Sequence, residues 1–449
     1  MILQQNGGKL IASGGYGCVF SPSLKCENQD LINNNNNNIS KLMTTKHAQD
    51  EYKQINKFKN ILKVIPNYEN YFLLNDFVLC KPDKLTKTDL NGYTKKCKPL
   101  KKKKITYQNI NKSLNKVMII NMPNGGINVK KFIQSYFVSS NIIKLNNSLI
   151  NLLVNGIVPM NKLNVYHCDI KEGNVLVQIN QTTLITRLID WGLSVSTTKT
   201  KGKIPLKLYR RPFQYNVPFS SIFFNTDFMT LYNNFLENNL NPNYFQIREF
   251  VINYIFIWND IRGSGHLSTI NNIIKKLTIQ ELPAIKQIKI KEHFIEYDFT
   301  YYYIIEYLSK ILEKYTNNGT LDIMSYFENI FLKNIDIWGF IMIYIALYQY
   351  LYNTFDDLNQ YQIEFITKIK YIIIHFLYES PLEPINVSFL VNELTKLNTI
   401  VEKFNIDDSL SKQDNIGGDT NKKLTKKNNK QHKVRQSKKH KVYQSTNKI

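Results

Sequence analysis

The stretch His167-Cys168-Asp169-Ile170-Lys171-Glu172-Gly173-Asn174 puts a carboxylate, an ammonium and an amide into one short polar run. A second carboxylate follows in Asp190-Trp191-Gly192, 21 residues after Asp169. Phosphoryl transfer asks for little covalent chemistry. It needs a carboxylate to orient an attacking hydroxyl and take its proton, a cation beside the moving group, and oxygen ligands for Mg²⁺. Asp169, Lys171 and the pair Asn174 with Asp190 supply these in order. An amide and a carboxylate from two loops are the hard oxygen ligands that Mg²⁺ favours. A lone loop aspartate is ordinarily just a solvated charge; the combined spacing sets Asp169 apart.

Upstream lies Ile11-Ala12-Ser13-Gly14-Gly15-Tyr16-Gly17-Cys18-Val19, then a lysine on an apolar strand in Ile39-Ser40-Lys41. Taken alone, the first is equally an ordinary hairpin turn and the second a surface charge. Together with HCDIKEGN and DWG they resemble the eukaryotic-type Ser/Thr protein kinases, whose catalytic loop is H-R-D-x-K-x-x-N and whose metal loop is D-F-G. The resemblance covers about residues 9–216 and the segment around Asp336. It implies a bilobal α+β fold, a small antiparallel-sheet lobe plus a large, mainly helical lobe, with ATP and Mg²⁺ in the cleft. On that resemblance, Asp169 and Lys171 are catalytic and Asn174 and Asp190 hold metal. Ile11, Gly14, Gly15, Gly17 and Val19 belong to the ATP-binding loop over the phosphates, and at its glycines a Cβ would obstruct close backbone approach. Lys41 grips the α/β-phosphates and pairs with a helical Glu. Glu51 shares a helix face with Ile55 and Phe58, whereas Asp50 lies a step of about 100° away, so Glu51 is the expected partner. Asn121-Met122-Pro123 resembles the hinge whose backbone meets adenine, with Met122 at its centre. Lys171 marks the Ser/Thr subgroup.

There are departures. Ala12 stands where the family's first glycine is expected. Cys168 replaces its Arg, so the usual cationic clamp for a phosphorylated segment is missing; activity is therefore expected not to require phosphorylation of Ser194, Ser196, Thr197, Thr198 or Thr200. Trp191 replaces Phe. Asn216-Val217-Pro218 stands in for A-P-E. Asp336-Ile337-Trp338-Gly339 resembles the start of the buried helix whose aspartate braces the catalytic loop, but comes 146 residues after Asp190. That delay implies a helical insertion over about Pro218–Lys333, with Asp227 as the alternative brace. The composition and the RRPFQYNVPFS segment most resemble kinases of large cytoplasmic DNA viruses.

Positioning these residues requires elements that the pattern supplies. Short strands are expected over Leu10-Ile11, Cys18–Phe20, Ile39–Leu42, Phe72–Leu74 and Val117–Ile120, with a helix from about Lys46 to Lys63. MPNGG breaks the chain, giving a small lobe over 1–121, a hinge at 122–126 and a large lobe over 127–411. Beyond the hinge the apolar period is helical, interrupted by strands at Val175–Val177 and Leu184–Ile189. The twelve apolar residues Ile337–Tyr348 read as a buried helix, because a membrane span takes about 20.

Composition limits the rest. The chain has 449 residues with net charge +23. Eleven Lys and one Arg against two Asp lie beyond residue 411, and seven Lys fall within Lys95–Lys104, expected as an exposed loop. The tail, 412–449, is expected to be disordered. It reads either as a solvated polycation or as an arm for nucleic acid or an acidic partner, besides the protein substrates the resemblance implies. Five scattered cysteines without a C-x-x-C pair are expected to be unpaired and unligated, which fits a reducing compartment. With no signal-peptide pattern the expectation is a soluble, intracellular protein with no membrane association. Walker A, H-E-x-x-H and G-x-S-x-G motifs are absent from the sequence. His167 reads as a packed residue rather than a ligand. Rival readings are a pseudokinase scaffold, a nucleic-acid-binding protein acting through its tail, and a small-molecule kinase.

Overall fold

In the computed structural model the chain divides into two units, Met1–Asp407 and Asp408–Ile449. The structure describes residues 8–27, 37–198, 202–278, 292–354 and 358–404, all in the first unit. The basic tail therefore lies outside the described residues.

The first unit mixes a small antiparallel-sheet region with a helical one. Strands β1 (Lys9–Ser13), β2 (Gly17–Ser21), β3 (Asn38–Thr44), β4 (Val78–Cys80) and β5 (Val117–Pro123) form a five-stranded sheet in the order β1-β2-β3-β5-β4. Lys41 on β3 lies opposite Val19 on β2 and Ile120 on β5. Directly opposed residues share a face of an antiparallel sheet. That face also carries Met43, and it meets Ala48 and Tyr52 of helix α1 (Thr45–Leu62). α1 buries Ala48, Ile55, Phe58 and Leu62, the i, i+3, i+7 stripe that its period dictates. Ile11 is the extra residue where the β1–β2 register shifts between Leu10 and Ala12.

The opposite face, with Cys18, Phe20, Leu42 and Ile119, is covered by residues between β4 and β5. Here two sequence expectations are corrected. The lysine-rich stretch is not an exposed loop: it forms short helices, Tyr93–Lys96 and Lys98–Lys102, joined at Cys97, and Tyr93, Cys97 and Leu100 are buried while the lysines face water. Apolar residues at 93, 97 and 100 sit one helical turn apart, and the abundance of lysine hides that stripe. Nor are the cysteines unpaired. Cys18–Cys97 and Cys26–Cys80 are disulfides spanning 79 and 54 residues, and only Cys168 is free among the described residues. No local motif announces pairs so distant, and a reducing compartment can no longer be argued from the cysteines.

The chain leaves β5 through Gly126, at φ +99°, where a Cβ would lie 2.1 Å from the Val177 carbonyl oxygen. Only glycine tolerates both conditions. Strands β6 (Ile127–Asn128), β8 (Val175–Ile179) and β9 (Leu184–Leu188) make a small sheet, and β7 (Val165–Tyr166) pairs with β10 (Val195–Ser196). Apart from a short hairpin pairing Thr316–Asn317 with Thr320–Leu321, the remaining regular structure of the described residues is helical. The abundant asparagines cap it: the side chains of Asn128, Asn225, Asn243, Asn359 and Asn386 each accept the third backbone N–H of the helix they precede. Within the expected insertion run helices Thr226–Asn238, Tyr244–Arg262, Leu267–Thr278 and Glu292–Tyr315. The helical run Ile323–Thr354 is long and apolar enough to cross a membrane, but its most apolar window is 89% buried in the fold. It is the core helix.

Candidate active site

The site rests on one segment of that core helix, Leu332–Ile343. Asp336, wholly buried, accepts the backbone N–H of His167 and of Cys168, both at 2.8 Å, and the Asn161 amide at 2.8 Å. Burial pushes its carboxyl up, against the pull of His167 and these donors. One turn on, a Cβ at Gly339 would lie 2.5 Å from the Ile170 carbonyl oxygen, so glycine lets the helix backbone approach the loop. Trp338 donates to the Tyr215 carbonyl at 3.0 Å. Asp227, the alternative brace, pairs instead with Arg210 at 3.2 Å on the surface.

Asp169 emerges from this loop with its carboxylate held from three sides. Lys171 Nζ lies 2.9 and 3.0 Å from its oxygens, Asn174 Nδ2 2.9 Å and Asn216 Nδ2 2.8 Å away. Burial would raise its pKa; Lys171, Asn216 and His167 outweigh that and hold it below the ordinary 3.8. Asn174 also donates to the Asp169 carbonyl at 2.8 Å, and its own carbonyl accepts the Ile189 N–H at 3.0 Å. Asp190 follows directly, exposed and at φ +67°.

Lys41 comes from the sheet. Its Nζ lies 2.7 Å from both oxygens of Glu51 on α1. Burial acts to lower the Lys41 pKa, yet Glu51 first and Asp190 second raise it, so the ammonium is firmly charged. Lys41 is thus flanked by α1 and the Asp190 loop. Phe58 of α1 meets Trp191 at 5.4 Å, and Trp191 in turn meets Phe72 at 5.6 Å and His167 at 5.1 Å. This buried aromatic column couples the position of α1, hence Glu51, to the loop that carries Asp169. His167 is fully buried, with Nε2 donating to the Ile189 carbonyl at 3.0 Å.

The glycines divide by cause. A Cβ at Gly14 or Gly15 would meet nothing within 4 Å, so both positions face open space. At Gly17 it would lie 2.4 Å from Met43 Cγ and 2.8 Å from the Leu42 oxygen, so strand packing by itself requires glycine there. Val19 is half-buried, and Ile11 is 48% exposed at the bulge. Met122 is half-buried inside β5, opposite Ile39, so the strand continues into the expected hinge.

No cluster of three His, Cys, Asp or Glu side chains suited to a metal occurs among the described residues. Mg²⁺ does not need one, since it takes one or two carboxylates and fills its shell with phosphate and water oxygens. The exposed Asp190 carboxylate, tied through Ile189 to Asn174, fits that mode.

Several neighbours of Asp169 escaped the sequence reading. Asn216 was visible only as part of a stand-in motif. Arg211, buried, donates Nη1 to the Cys168 carbonyl at 2.9 Å. Tyr215 donates to Glu172 at 3.0 Å and faces the His266 ring at 5.4 Å, which brings the turn before helix Leu267–Thr278 to the site. A doublet such as Arg210-Arg211 carries no signal of which arginine turns inward. Thr200 lies outside the described residues.

No protein-family model matches the chain. No curated protein is similar to it. Among solved structures, 127 chains match. One is a kinase domain, PF14_0431, with TM-score 0.24 and 16% identity. The match covers 45% of this chain and only 55% of that one. So loose a superposition has no bearing on residue roles, which rest on the geometry above.

Proposed function

We propose that the protein is an ATP-dependent protein kinase acting on Ser or Thr hydroxyls. The observation that carries this reading is the combination of two charge systems: Lys41 held by Glu51 and acted on by Asp190, and Asp169 held by Lys171 and Asn174. Asp169 is the acceptor for the substrate hydroxyl's proton, kept ionised and aimed by Lys171, Asn174 and Asn216. Lys171 and Lys41 place positive charge where the transferred group and the nucleotide phosphates carry negative charge. The open space over Gly14 and Gly15 lets backbone approach a nucleotide. Asn174 and Asp190 would hold Mg²⁺, which when bound neutralises phosphate charge. The Ser/Thr assignment rests on Lys171 through the resemblance.

The test is transfer of label from γ-labelled ATP to a mixed protein pool, followed by phosphoamino-acid analysis, comparing wild type with Asp169→Ala. Phosphoserine and phosphothreonine dependent on Asp169 are expected. Equal labelling by both proteins would sink the reading. ATP binding without transfer by wild type would leave a pseudokinase scaffold in its place.

A further inference from the structure

Cys168 has φ +61°, a left-handed conformation uncommon for a non-glycine residue, which persists only where its surroundings impose it. Both ends of the residue are held. Its N–H goes to Asp336 at 2.8 Å, and its carbonyl accepts Arg211 Nη1 at 2.9 Å. That carbonyl belongs to the Cys168–Asp169 peptide, whose plane sets the direction in which the Asp169 side chain leaves the loop. Arg211 is itself buried, and its Nη2 has no hydrogen-bond partner. A buried guanidinium needs compensating charge. Burial pushes the Cys168 thiol well up, so it is neutral, and the negative charges that work against burial at Arg211 are those of Asp169 and Asp336.

The cation that the resemblance places at position 168 thus comes from a different part of the chain. Building on the kinase reading, we infer that Arg211 is the positioning residue for Asp169, clamping the 168–169 peptide from the segment after Asp190. Its guanidinium does from inside the fold what no phosphate is needed to induce. The groups facing Asp169 are Lys171 and His167 of its own loop, Asn216, Arg211 and Tyr215 of the following segment, and His266 of the turn before helix Leu267–Thr278.

The test uses the full chain with R211M, R211Q and R211K, with folding checked by circular dichroism. R211Q keeps a polar end in the buried slot should R211M fail to fold. The uncharged variants are expected to lose about ten- to a hundredfold in kcat, as misplacement of a reacting group does. Their KM for ATP should stay within about twofold, because nucleotide contacts are untouched. R211K should recover part of kcat, again without moving the KM for ATP. A folded uncharged variant with wild-type kcat overturns the inference while wild-type transfer leaves the kinase reading standing. R211K no better than R211Q overturns it too. Absence of transfer by wild type removes both.

Discussion

Under the proposed function Asp169 is the residue on which the chemistry turns, and its surroundings set its pH behaviour. Burial presses its pKa up, while Lys171, Asn216 and His167 pull it below 3.8. The carboxylate is therefore the form present at neutral pH, and it is lost only as pH falls through that lowered value. The acid limb of kcat/KM, which reports the free enzyme, should lie below 3.8 in wild type and move to higher pH in Lys171→Ala, where burial is less opposed. Asp169→Ala should lower kcat by about 10²- to 10⁴-fold, the usual range for loss of a general base. The choice of Glu51 as partner for Lys41 was legible because helical period separates it from Asp50. Arg211 and Asn216 were not legible, because their roles depend on a chain reversal that no local pattern encodes.

At the scale of the element, the glycine-rich turn separates packing from function. Gly17→Ala places a methyl against Met43 and the Leu42 backbone and should cost about 1–3 kcal/mol by urea denaturation. Gly15→Ala, built into open space, should change stability by no more than about 0.5 kcal/mol while raising the KM for ATP. Equal destabilisation by both would contradict the packing account. The layer between β4 and β5 is joined to the sheet by Cys18–Cys97, and Cys18 neighbours the glycine turn. Cys97→Ser should cost about 2–4 kcal/mol, read by the same denaturation. The asparagine caps show how a compositional bias is absorbed: residues outside the candidate site start helices.

For the whole molecule, the decisive connection runs from Asp336 to the loop at His167-Cys168, across 169 and 168 residues. Asp336→Ala leaves two buried backbone N–H groups without their acceptor and the Asn161 amide with the Val165 carbonyl alone. A loss of about 3–5 kcal/mol is expected, together with loss of phosphotransfer. The turn between helices Tyr244–Arg262 and Leu267–Thr278 also reaches the site, since the His266 ring meets that of Tyr215, the neighbour of Asn216. Removal of residues 412–449 should leave phosphotransfer unchanged and abolish any salt-dependent binding to nucleic acid. Loss of transfer on truncation would shift the working part of the protein to its tail.

By itself the sequence determined what is local. Side-chain chemistry at fixed short spacing announced Asp169, Lys171, Asn174 and Asp190. Helical and strand periods placed α1 and the strands around Lys41. Tertiary structure decided what is distant: the two disulfides, the buried stripe beneath the lysines, Asp336 over Asp227 as brace, and Arg211 as the cation at the Cys168 carbonyl. The physical reason is one of range. Periodicity and turn chemistry act over a few residues and can be read along the chain. Contacts that close loops of fifty to a hundred and seventy residues are selected by how whole faces pack, and a residue's type does not say which of them it joins.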